Sequence, residues 1–476
     1  MSKTVKVLIA LALALVLATP AMADMKLNGY YRLQFISDNI GNAGSKDART
    51  ASQIDQRLRM KLTNTLNDYV SFVYYAEVDT PWGQDGSTPS ADKVTVTSTS
   101  TTKGTDSVDG DITATTTTTN TVTTSKGESG GKDGADGVNL ETKNVYLDVK
   151  IPNTTLKARA GIQGYAVDNE WAVMGDDVAG LRFDAKVSDT FDATLGYFKF
   201  VENGTTTWDD VDFYTLTGRF KPSDKMKLQG TFAYYDNNGL TNVGTANGFI
   251  STLPADMFTD LEAYYLVGIA DVDFGMAALR VLAAYNGGTI NAATGYQDVD
   301  IAGYMASAKV TAKLDPATVG LRLTYFSADD NNLGDNDWDG FLGDVTGSGS
   351  SFSGENLSIF FCDTYYNNTN GGCLAMAPAF GGNGLFAINA TADVKLPAGY
   401  DLKAGAGYFS ALEENGAADT DLGFEVAANF GRKLAEKVDV RLIGAYAMLG
   451  DFYNTTANNN DPDDIFLTKA VINVSF

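Results

Sequence analysis

Residues 466–476 read Phe466-Leu467-Thr468-Lys469-Ala470-Val471-Ile472-Asn473-Val474-Ser475-Phe476, and apolar and polar side chains alternate over most of this run. Successive side chains of a β-strand point to opposite faces. One face would carry Phe466, Ala470, Ile472, Val474 and Phe476, and the other Lys469, Asn473 and Ser475. The run therefore predicts a strand with one face suited to an apolar surrounding and one suited to water.

The same alternation recurs upstream, with charged residues on one face of each run. It is clearest in segments 57–62, 155–162, 181–187 and 309–314. A basic side chain on a lipid-facing surface costs about 2–4 kcal/mol near the middle of a membrane, so the charged faces must look into water. The pattern favours a barrel with a wet interior.

Short connections alternate with long polar ones along the whole chain. Short turns are predicted at 66–68, 152–154, 188–190, 222–224, 270–271, 315–316, 397–399 and 434–436. Long connections are predicted at 37–52, 80–139, 164–178, 203–208, 237–257, 287–297, 329–384, 413–418 and 451–463. Transmembrane barrels have short periplasmic turns and long extracellular loops. We therefore predict an all-β antiparallel transmembrane barrel of about 18 strands, with 16 as the alternative.

The beginning of the sequence resembles an export signal. Lys3 and Lys6 precede an apolar run from Val7 to Ala18, and Ala21-Met22-Ala23 follows it. These are the parts of a signal peptide, which predicts cleavage before Asp24. No later stretch reaches the ~20 consecutive apolar residues that a spanning helix needs. We expect 1–23 to be removed and 24–476 to form one barrel domain.

Composition excludes several functions. The sequence has no histidine and a formal net charge of −24. Without histidine, Ser-His-Asp and Cys-His catalysis and the commonest transition-metal ligand are absent. Nucleic-acid phosphates call for basic patches, which this charge opposes. We expect no catalytic residues, no cofactor and no nucleic-acid partner.

Two long connections have unusual compositions. Within 80–139, the Thr/Ser-rich part at 87–127 has too few large apolar residues to offset its ordering entropy, so we expect a mobile extracellular loop. A glycosylated or ligand-binding loop is the alternative. The connection 329–384 is acidic and carries Cys362 and Cys373. An oxidising export compartment favours a disulfide between them that closes a short surface loop, with two free thiols as the alternative.

The run Asp335-Asn336-Asp337-Trp338-Asp339-Gly340 matches the first half of a calcium loop, with oxygen ligands at alternate positions. Position 12 would be Thr346 instead of Glu, which argues against an EF-hand. A loop calcium site on Asp335, Asp337 and Asp339 remains an alternative to a solvated acidic loop.

Aromatic residues gather near the predicted strand ends. Examples are Tyr30, Tyr31 and Phe35, Tyr197 and Phe198, Phe232, Tyr234 and Tyr235, and Tyr408 and Phe409. Transmembrane barrels carry aromatic girdles at both membrane interfaces, so we interpret these residues as girdles. Ordinary enrichment of aromatics in strands is the alternative.

These features together resemble a general diffusion porin of a Gram-negative outer membrane. The resemblance rests on the signal peptide, the alternating strands and loops, Asp176-Asp177-Val178-Ala179-Gly180-Leu181-Arg182-Phe183-Asp184, Gly161-Ile162-Gln163, and the terminal Phe476. It implies a trimeric barrel of 16 or 18 strands with one long loop folded inward. It also implies outer-membrane lipid and lipopolysaccharide as surroundings, and a barrel-assembly machinery that recognises the C-terminal strand.

Charge patterning suggests where selectivity lies. Predicted wall positions are mostly basic, whereas the connection 329–384 holds acids and no Lys or Arg. Charged rings in a narrow pore set ion preference. We hypothesise a constriction in which wall residues Arg57, Arg59, Arg159 and Arg182 face the third long connection's acids, Asp168, Glu170, Asp176 and Asp177. The alternative is that these arginines are paired wall residues that brace the barrel.

The sequence thus predicts an outer-membrane porin for passive diffusion of small hydrophilic solutes and ions, with weak cation preference at low salt. Alternatives are a substrate-specific channel with a lumenal binding ladder, a structural or adhesive barrel with a closed lumen, and a soluble secreted β-protein.

Overall fold

A computed structural model of the chain shows a closed antiparallel β-barrel. It describes residues 24–46, 49–83, 91–106, 110–125, 140–168, 170–202, 210–238, 258–330, 336–343, 352, 355–361, 373–455, 458 and 461–476. The predicted signal peptide at 1–23 lies outside the described residues.

The strands of the described chain are β1 (Asp24–Asp38), β2 (Ala51–Thr65), β3 (Val70–Pro81), β4 (Ala91–Asp106), β5 (Gly110–Ser125), β6 (Glu141–Lys150), β7 (Leu156–Ala166), β8 (Gly175–Lys186), β9 (Phe191–Val201), β10 (Val211–Ser223), β11 (Met226–Asn237), β12 (Phe258–Asp273), β13 (Ala277–Ala292), β14 (Val299–Leu314), β15 (Ala317–Phe326), β16 (Asp337–Trp338), β17 (Leu385–Lys395), β18 (Tyr400–Ser410), β19 (Asp421–Ala435), β20 (Val438–Leu449) and β21 (Ile465–Ser475). All but β4, β5 and β16 form the wall. This confirms the all-β barrel of 18 strands and excludes the alternative of 16.

The first and last wall strands close the barrel. β1 pairs with β2 on one side and with β21 on the other, from Tyr30 opposite Ser475 to Asp38 opposite Leu467. Just beyond this ladder, the backbone N–H of Gly29 donates to the carbonyl of Phe476 over 3.1 Å, and that of Phe476 donates to Gly29 over 3.0 Å. The alternating run 466–476 is therefore a wall strand.

Short turns and long connections alternate around the wall. The turns are 66–69, 151–155, 187–190, 224–225, 274–276, 315–316, 396–399 and 436–437. The long connections, called loops 1 to 9, are 39–50, 82–140, 167–174, 202–210, 238–257, 293–298, 327–384, 411–420 and 450–464. All turns lie at one end of the barrel, the turn end, and the strand ends that border the loops lie at the other, the loop end.

Toward the turn end, wall strands such as β8 have an apolar outer face and a charged inner face. On β8, Leu181 and Phe183 are 45% and 42% exposed on the outer face, while Arg182 and Asp184 lie on the inner face. The antiparallel register carries this division to the next strands, since Arg182 lies opposite Arg159 of β7. Charged and apolar side chains are separated here because successive side chains of a strand point to opposite faces, and no local motif is needed.

Consecutive aromatic residues divide between the faces, which corrects the predicted girdles in part. Tyr197 and Tyr234 lie on the outer face, but their neighbours Phe198 and Tyr235 are fully buried inside, as is Phe409. A period of two forces this outcome, because adjacent side chains in a strand point in opposite directions. Only alternate members of each aromatic group face outward.

The interior at the loop end is filled by a hydrophobic core in which loop 7 takes a large part. The ring of Phe326, at the end of β15, lies 5.6 Å from Phe341, 5.5 Å from Phe352 and 5.6 Å from Phe380, centre to centre. Phe380 belongs to a short helix, α1 (Met376–Phe380), and β16 pairs with β14 in parallel beyond the end of β15. Loop 7 therefore folds into the barrel.

The Thr/Ser-rich part of loop 2 contains a hairpin that sequence reasoning missed. β4 and β5 pair with each other, from Ala91 opposite Ser125 to Asp106 opposite Gly110, in a sheet separate from the wall. Threonine is β-branched and favours extended backbone, which accounts for strands in a segment expected to lack them.

Among the described residues, the helices are all too short or too polar to cross a membrane.

Candidate functional site: the lumen of the barrel

Two arginines of β2 bind carboxylates of the neighbouring β3 on the inner face. The register places Arg57 opposite Asp79 and Arg59 opposite Glu77. Arg57 Nε donates to Asp79 Oδ2 over 3.0 Å and lies 3.5 Å from Glu77 Oε2, and Arg59 forms an ion pair with Glu77. These side chains are 11–21% exposed, so solvent in the lumen reaches them.

A second basic pair lies on β7 and β8. Arg159 donates to both oxygens of Asp148 over 2.6 and 2.9 Å, and its guanidinium lies 4.1 Å from the centre of the Tyr146 ring. Arg182 donates to Asp184 over 2.9 Å. Both arginines and both aspartates line a cavity of about 370 Å³ that extends toward the turn end. This part of the wall presents alternating charge to the lumen.

The acids expected opposite these arginines have other roles. Asp168 caps loop 3, since its carboxylate accepts hydrogen bonds from the backbone N–H groups of Glu170, Ala172 and Val173 over 2.9, 3.1 and 3.2 Å. Burial raises the pKa of the Asp168 carboxyl above its usual value, while these N–H donors oppose the rise. Asp168 therefore shapes the loop.

Asp176 and Asp177 begin β8 and also bind locally. The carboxylate of Asp176 accepts a hydrogen bond from the backbone N–H of Asp177 over 2.6 Å. Asp177 accepts from Asn144 over 2.6 Å and pairs with Lys143, on the strand face opposite to that of Arg182. The four arginines thus bind wall carboxylates and not these acids, which corrects the hypothesised pairing. Sequence spacing showed the faces but not the partners.

Glu170 is the loop 3 acid that reaches across the lumen. Its carboxylate accepts a hydrogen bond from Arg280 Nε of β13 over 2.7 Å and forms an ion pair with Arg322 of β15. Arg280 also donates to both oxygens of Asp271 over 2.8 and 2.9 Å. Loop 3 therefore narrows the lumen as expected of an inward loop, but against a different part of the wall.

Three cationic side chains stand in one row across adjacent strands. Arg280 of β13 lies opposite Lys309 of β14, which lies opposite Arg322 of β15. Glu355 of loop 7 binds two of them, with 2.5 Å to Lys309 Nζ and 2.9 Å to Arg322 Nη1. We call Arg280, Lys309 and Arg322 the basic row. Glu170 and Glu355, from two different loops, balance two of its three positive charges, and Asp271 of the wall pairs with Arg280.

Glu425 of β19 fixes the next part of loop 7. Its carboxylate accepts hydrogen bonds from the backbone N–H groups of Ser358, Ile359 and Phe360 over 2.6, 3.0 and 2.8 Å. Glu425 is fully buried, and bonds to a charged acceptor are strong where water is excluded. Sequence reasoning missed both Glu355 and Glu425, because no local pattern links a loop acid or wall acid to a distant partner.

Glycines on the inner face allow loop 7 to lie against the wall. A Cβ on Gly405 of β18 would lie 2.7 Å from the carbonyl oxygen of Glu355. A Cβ on Gly303 of β14 would overlap the backbone of Gly340. The Gly405-Ala406-Gly407 run was therefore a readable signal of close backbone approach.

The predicted disulfide and the alternative of a calcium site both concern loop 7. Cys373 is disulfide-bonded and packs against the interior core, while Cys362, the chain's other cysteine, lies outside the described residues. Of the calcium candidates, Asp337 lies on β16 beside Asp339, and Asp335 is outside the described residues. Within the described part of the chain, no three acidic or cysteine side chains group as metal ligands would.

The inner face is wetter toward the turn end than toward the loop end. Asp148 and Asp271 are 40% and 42% exposed in their side chains, whereas Asn286 and Phe326 at the loop end are fully buried. A second cavity of about 370 Å³ at the turn end is lined by Asp271, Arg280 and Lys309, directly below the glutamates that bind the basic row. A larger groove of about 770 Å³, bordered by Phe35 and Trp82, includes outer-face residues. The lumen is thus a wide charged vestibule that narrows at loops 3 and 7.

Comparison with known proteins relates this fold to outer-membrane porins. No protein-family model matches the sequence, and no curated protein does either. The fold resembles solved structures of Pseudomonas aeruginosa OccK8 (OprE), with a TM-score of 0.53, 9% identity and coverage of 95% of this chain and 98% of that one. It also resembles P. aeruginosa OpdK with vanillate and a BenF-like porin from Pseudomonas fluorescens Pf-5, each with a TM-score of 0.50, 10% identity and the same coverage. At these identities the likeness concerns the fold.

Proposed function

We propose that the chain is an outer-membrane porin through which small hydrophilic solutes and ions diffuse along a narrowed, charge-lined lumen. The observation that carries this proposal is the division of wall strands such as β2, β7 and β8 into an apolar outer face and a charged inner face that solvent reaches. A closed wall of this kind satisfies all its backbone hydrogen bonds internally, as a lipid surrounding requires. Passage needs no bond to be made or broken, so we propose neither catalysis nor a cofactor.

The outer surface supports a membrane location. Tyrosines form a belt near the loop end of β9–β15, with ring centres 5.2 Å apart for Tyr197 and Tyr214 and 5.6 Å apart for Tyr304 and Tyr325. Such belts sit at membrane interfaces. We therefore propose the outer membrane of a Gram-negative cell as the location, with the loop end extracellular and lipid and lipopolysaccharide around the wall. A homotrimer and assembly through β21 remain proposals from the sequence.

Selection by charge follows from the wall. Arg59 and Arg159 each stand over or near an aromatic ring, at 5.9 Å from the centre of Tyr30 and 4.1 Å from that of Tyr146. A cation beside a ring suits a solute with a carboxylate and an apolar part. OpdK has been solved with vanillate, which is an aromatic carboxylate. We propose that this channel likewise favours particular solutes over unselective diffusion, and flux that saturates with concentration would support it.

Single-channel recording tests the channel. Purified wild-type protein in a planar bilayer should conduct, and replacing Arg57 and Arg59 with Gln should shift the reversal potential toward cations, because Glu77 and Asp79 then lose their counter-ions. The control Lys437→Gln removes a positive charge from an exposed turn and should leave ion preference unchanged. Unchanged conductance and preference in the arginine variant would refute selection at this wall.

A closed structural barrel is the second candidate. It is favoured by the dry loop end, where the rings of loop 7 fill the interior around Phe326. A folded, membrane-inserted wild-type protein without measurable conductance would support this candidate over the channel.

A further inference from the structure

We propose that Arg322 is a positioning residue that holds loops 3 and 7 together across the lumen, and that its release widens the passage and exposes the basic row to solutes. This inference rests on the proposed channel function. It concerns what sets the width and ion preference of the channel.

Arg322 is a wall residue that both inward loops contact. Its guanidinium pairs with Glu170 of loop 3 and, over 2.9 Å, with Glu355 of loop 7, while Nε donates to Ser307 over 2.7 Å. The guanidinium also lies 4.4 Å from the centre of the Phe352 ring of loop 7. Only 2% of the side chain is exposed, so water does not compete for these contacts.

The two loops also touch each other. The backbone of Gly343 in loop 7 lies so near loop 3 that a Cβ there would be 2.7 Å from the carbonyl oxygen of Ala172. Movement of one loop away from the wall therefore disturbs the other. Loss of one carboxylate partner at Arg322 leaves a buried charge partly unpaired, which weakens the hold on both loops.

The charge balance changes when the loops leave the wall. With the loops in place, Glu170, Glu355 and the wall residue Asp271 together balance the three positive charges of the basic row. When the loops depart, Arg280, Lys309 and Arg322 face the lumen together, with Asp271 as the acid still bound to Arg280. Because Arg280 and Lys309 already line the turn-end cavity, a solute there would meet the uncovered row next. The wider state should therefore favour anions more than the narrow state does.

The geometry of arginine separates this idea from a simple charge effect. A planar guanidinium can bind two carboxylates and a hydroxyl at once, whereas an ammonium is a point charge on a flexible stem. Arg322→Lys keeps the charge of the basic row but should not hold both loops. A channel controlled by static charge alone would not distinguish Arg322→Lys from wild type.

The test is single-channel recording of wild type, Arg322→Lys and the double variant Glu170→Gln/Glu355→Gln. Both variants should occupy a larger conductance level about tenfold more often, since each loses hydrogen bonds between charged groups. In that level the reversal potential should shift toward anions. The control is Arg441→Lys, because Arg441 bridges wall acids Asp401 and Asp439, on β18 and β20. It should behave as wild type, and heat-modifiable migration in detergent should show that every variant is folded.

The outcomes separate the two proposals. A conducting wild type with an unchanged Arg322→Lys variant overturns the role of Arg322 and leaves the porin in place, as does an equal effect of Arg441→Lys. A folded wild type that does not conduct overturns the proposed channel. In that case, conductance gained by Arg322→Lys and the glutamate variant but not by Arg441→Lys still supports the hold on the loops, and silence of all variants overturns it.

Discussion

A single wall carboxylate can decide the path of a long loop. Glu425 gathers three consecutive backbone N–H groups of loop 7, and the loop then continues to Phe360 and Phe361, whose rings pack on Phe409. Backbone donors in a buried loop must find acceptors or cost free energy. Glu425 supplies these acceptors from the wall, where a strand holds it in place.

Removing this carboxylate should loosen loop 7. Glu425→Ala leaves three buried N–H donors without their acceptor, and we expect a loss of about 3 kcal/mol in the free energy of unfolding. Urea unfolding in detergent measures it. Glu436→Ala, in an exposed turn, is the control and should change stability little. Equal stability of the two variants would contradict the role given to Glu425.

At the residue scale, sequence shows the face of a side chain more readily than its partner. The period of two placed Arg57, Arg159 and Arg182 on the inner face. The partnership of Glu170 with Arg322 spans 152 residues and depends on how many strands lie between loop 3 and β15. No local spacing encodes that distance. The arginines could therefore be assigned to the lumen but not joined to their partners.

At the element scale, each strand has one face toward the lumen and one face toward the outside of the barrel. β13 shows this over a few residues, since Ala283 is exposed on the outer face and Ala278 lines the turn-end cavity of the inner face. Both are alanines of one strand. They differ in which side of the wall they occupy, and that difference should control how each tolerates a charge.

The same substitution at these two alanines should have opposite outcomes. Ala283→Arg puts a charge on the proposed lipid face. We expect it to lower the stability of the inserted barrel by about 2–4 kcal/mol and to make the barrel less resistant to heat. Ala278→Arg faces the lumen opposite Asp273 and should assemble normally, with a shift of the reversal potential toward anions. Electrophoretic migration with and without heating measures assembly. Equal assembly of both variants would place the outer face in water.

Wall strands and most turns were predictable because each is encoded by neighbouring residues, although the turn predicted at 270–271 lies at 274–276. Loop 7 was not, because its acids suggested a solvated loop. The sequence feature that indicated an inward loop is its set of phenylalanines at 341, 352, 360, 361 and 380, which are all buried in the interior. A polar loop with this many large apolar rings needs a core to bury them. The inside of the barrel provides that core.

For the whole molecule, charge is unevenly distributed. The net charge of −24 is concentrated in connections such as 451–464, which contains Asp451, Asp461, Asp463 and Asp464 and no basic residue. The wall, by contrast, pairs most of its arginines with acids, as Arg441 with Asp439. A solute approaching the loop end first meets the loop acids, before the paired charges of the wall.

Ion preference should therefore depend on salt. The screening length is about 30 Å at 0.01 M salt and about 3 Å at 1 M, so exposed loop acids act on approaching ions only in dilute salt. We expect cation preference at low salt that declines as salt rises, measured from reversal potentials at a fixed salt ratio. A preference for anions at low salt, or one that does not vary with concentration, would contradict this.

The seam between β1 and β21 has a consequence for biosynthesis. Across it, Thr468 donates to the carbonyl of Ser37, 431 residues earlier in the chain. Ribosomes make β21 after every other wall strand. Any sheet that the growing chain forms therefore has two unpaired edges until β21 is present. Such edges invite pairing with other chains. A chain that lacks β21 therefore cannot close its wall, and its strand edges need protection from other chains until β21 pairs with β1.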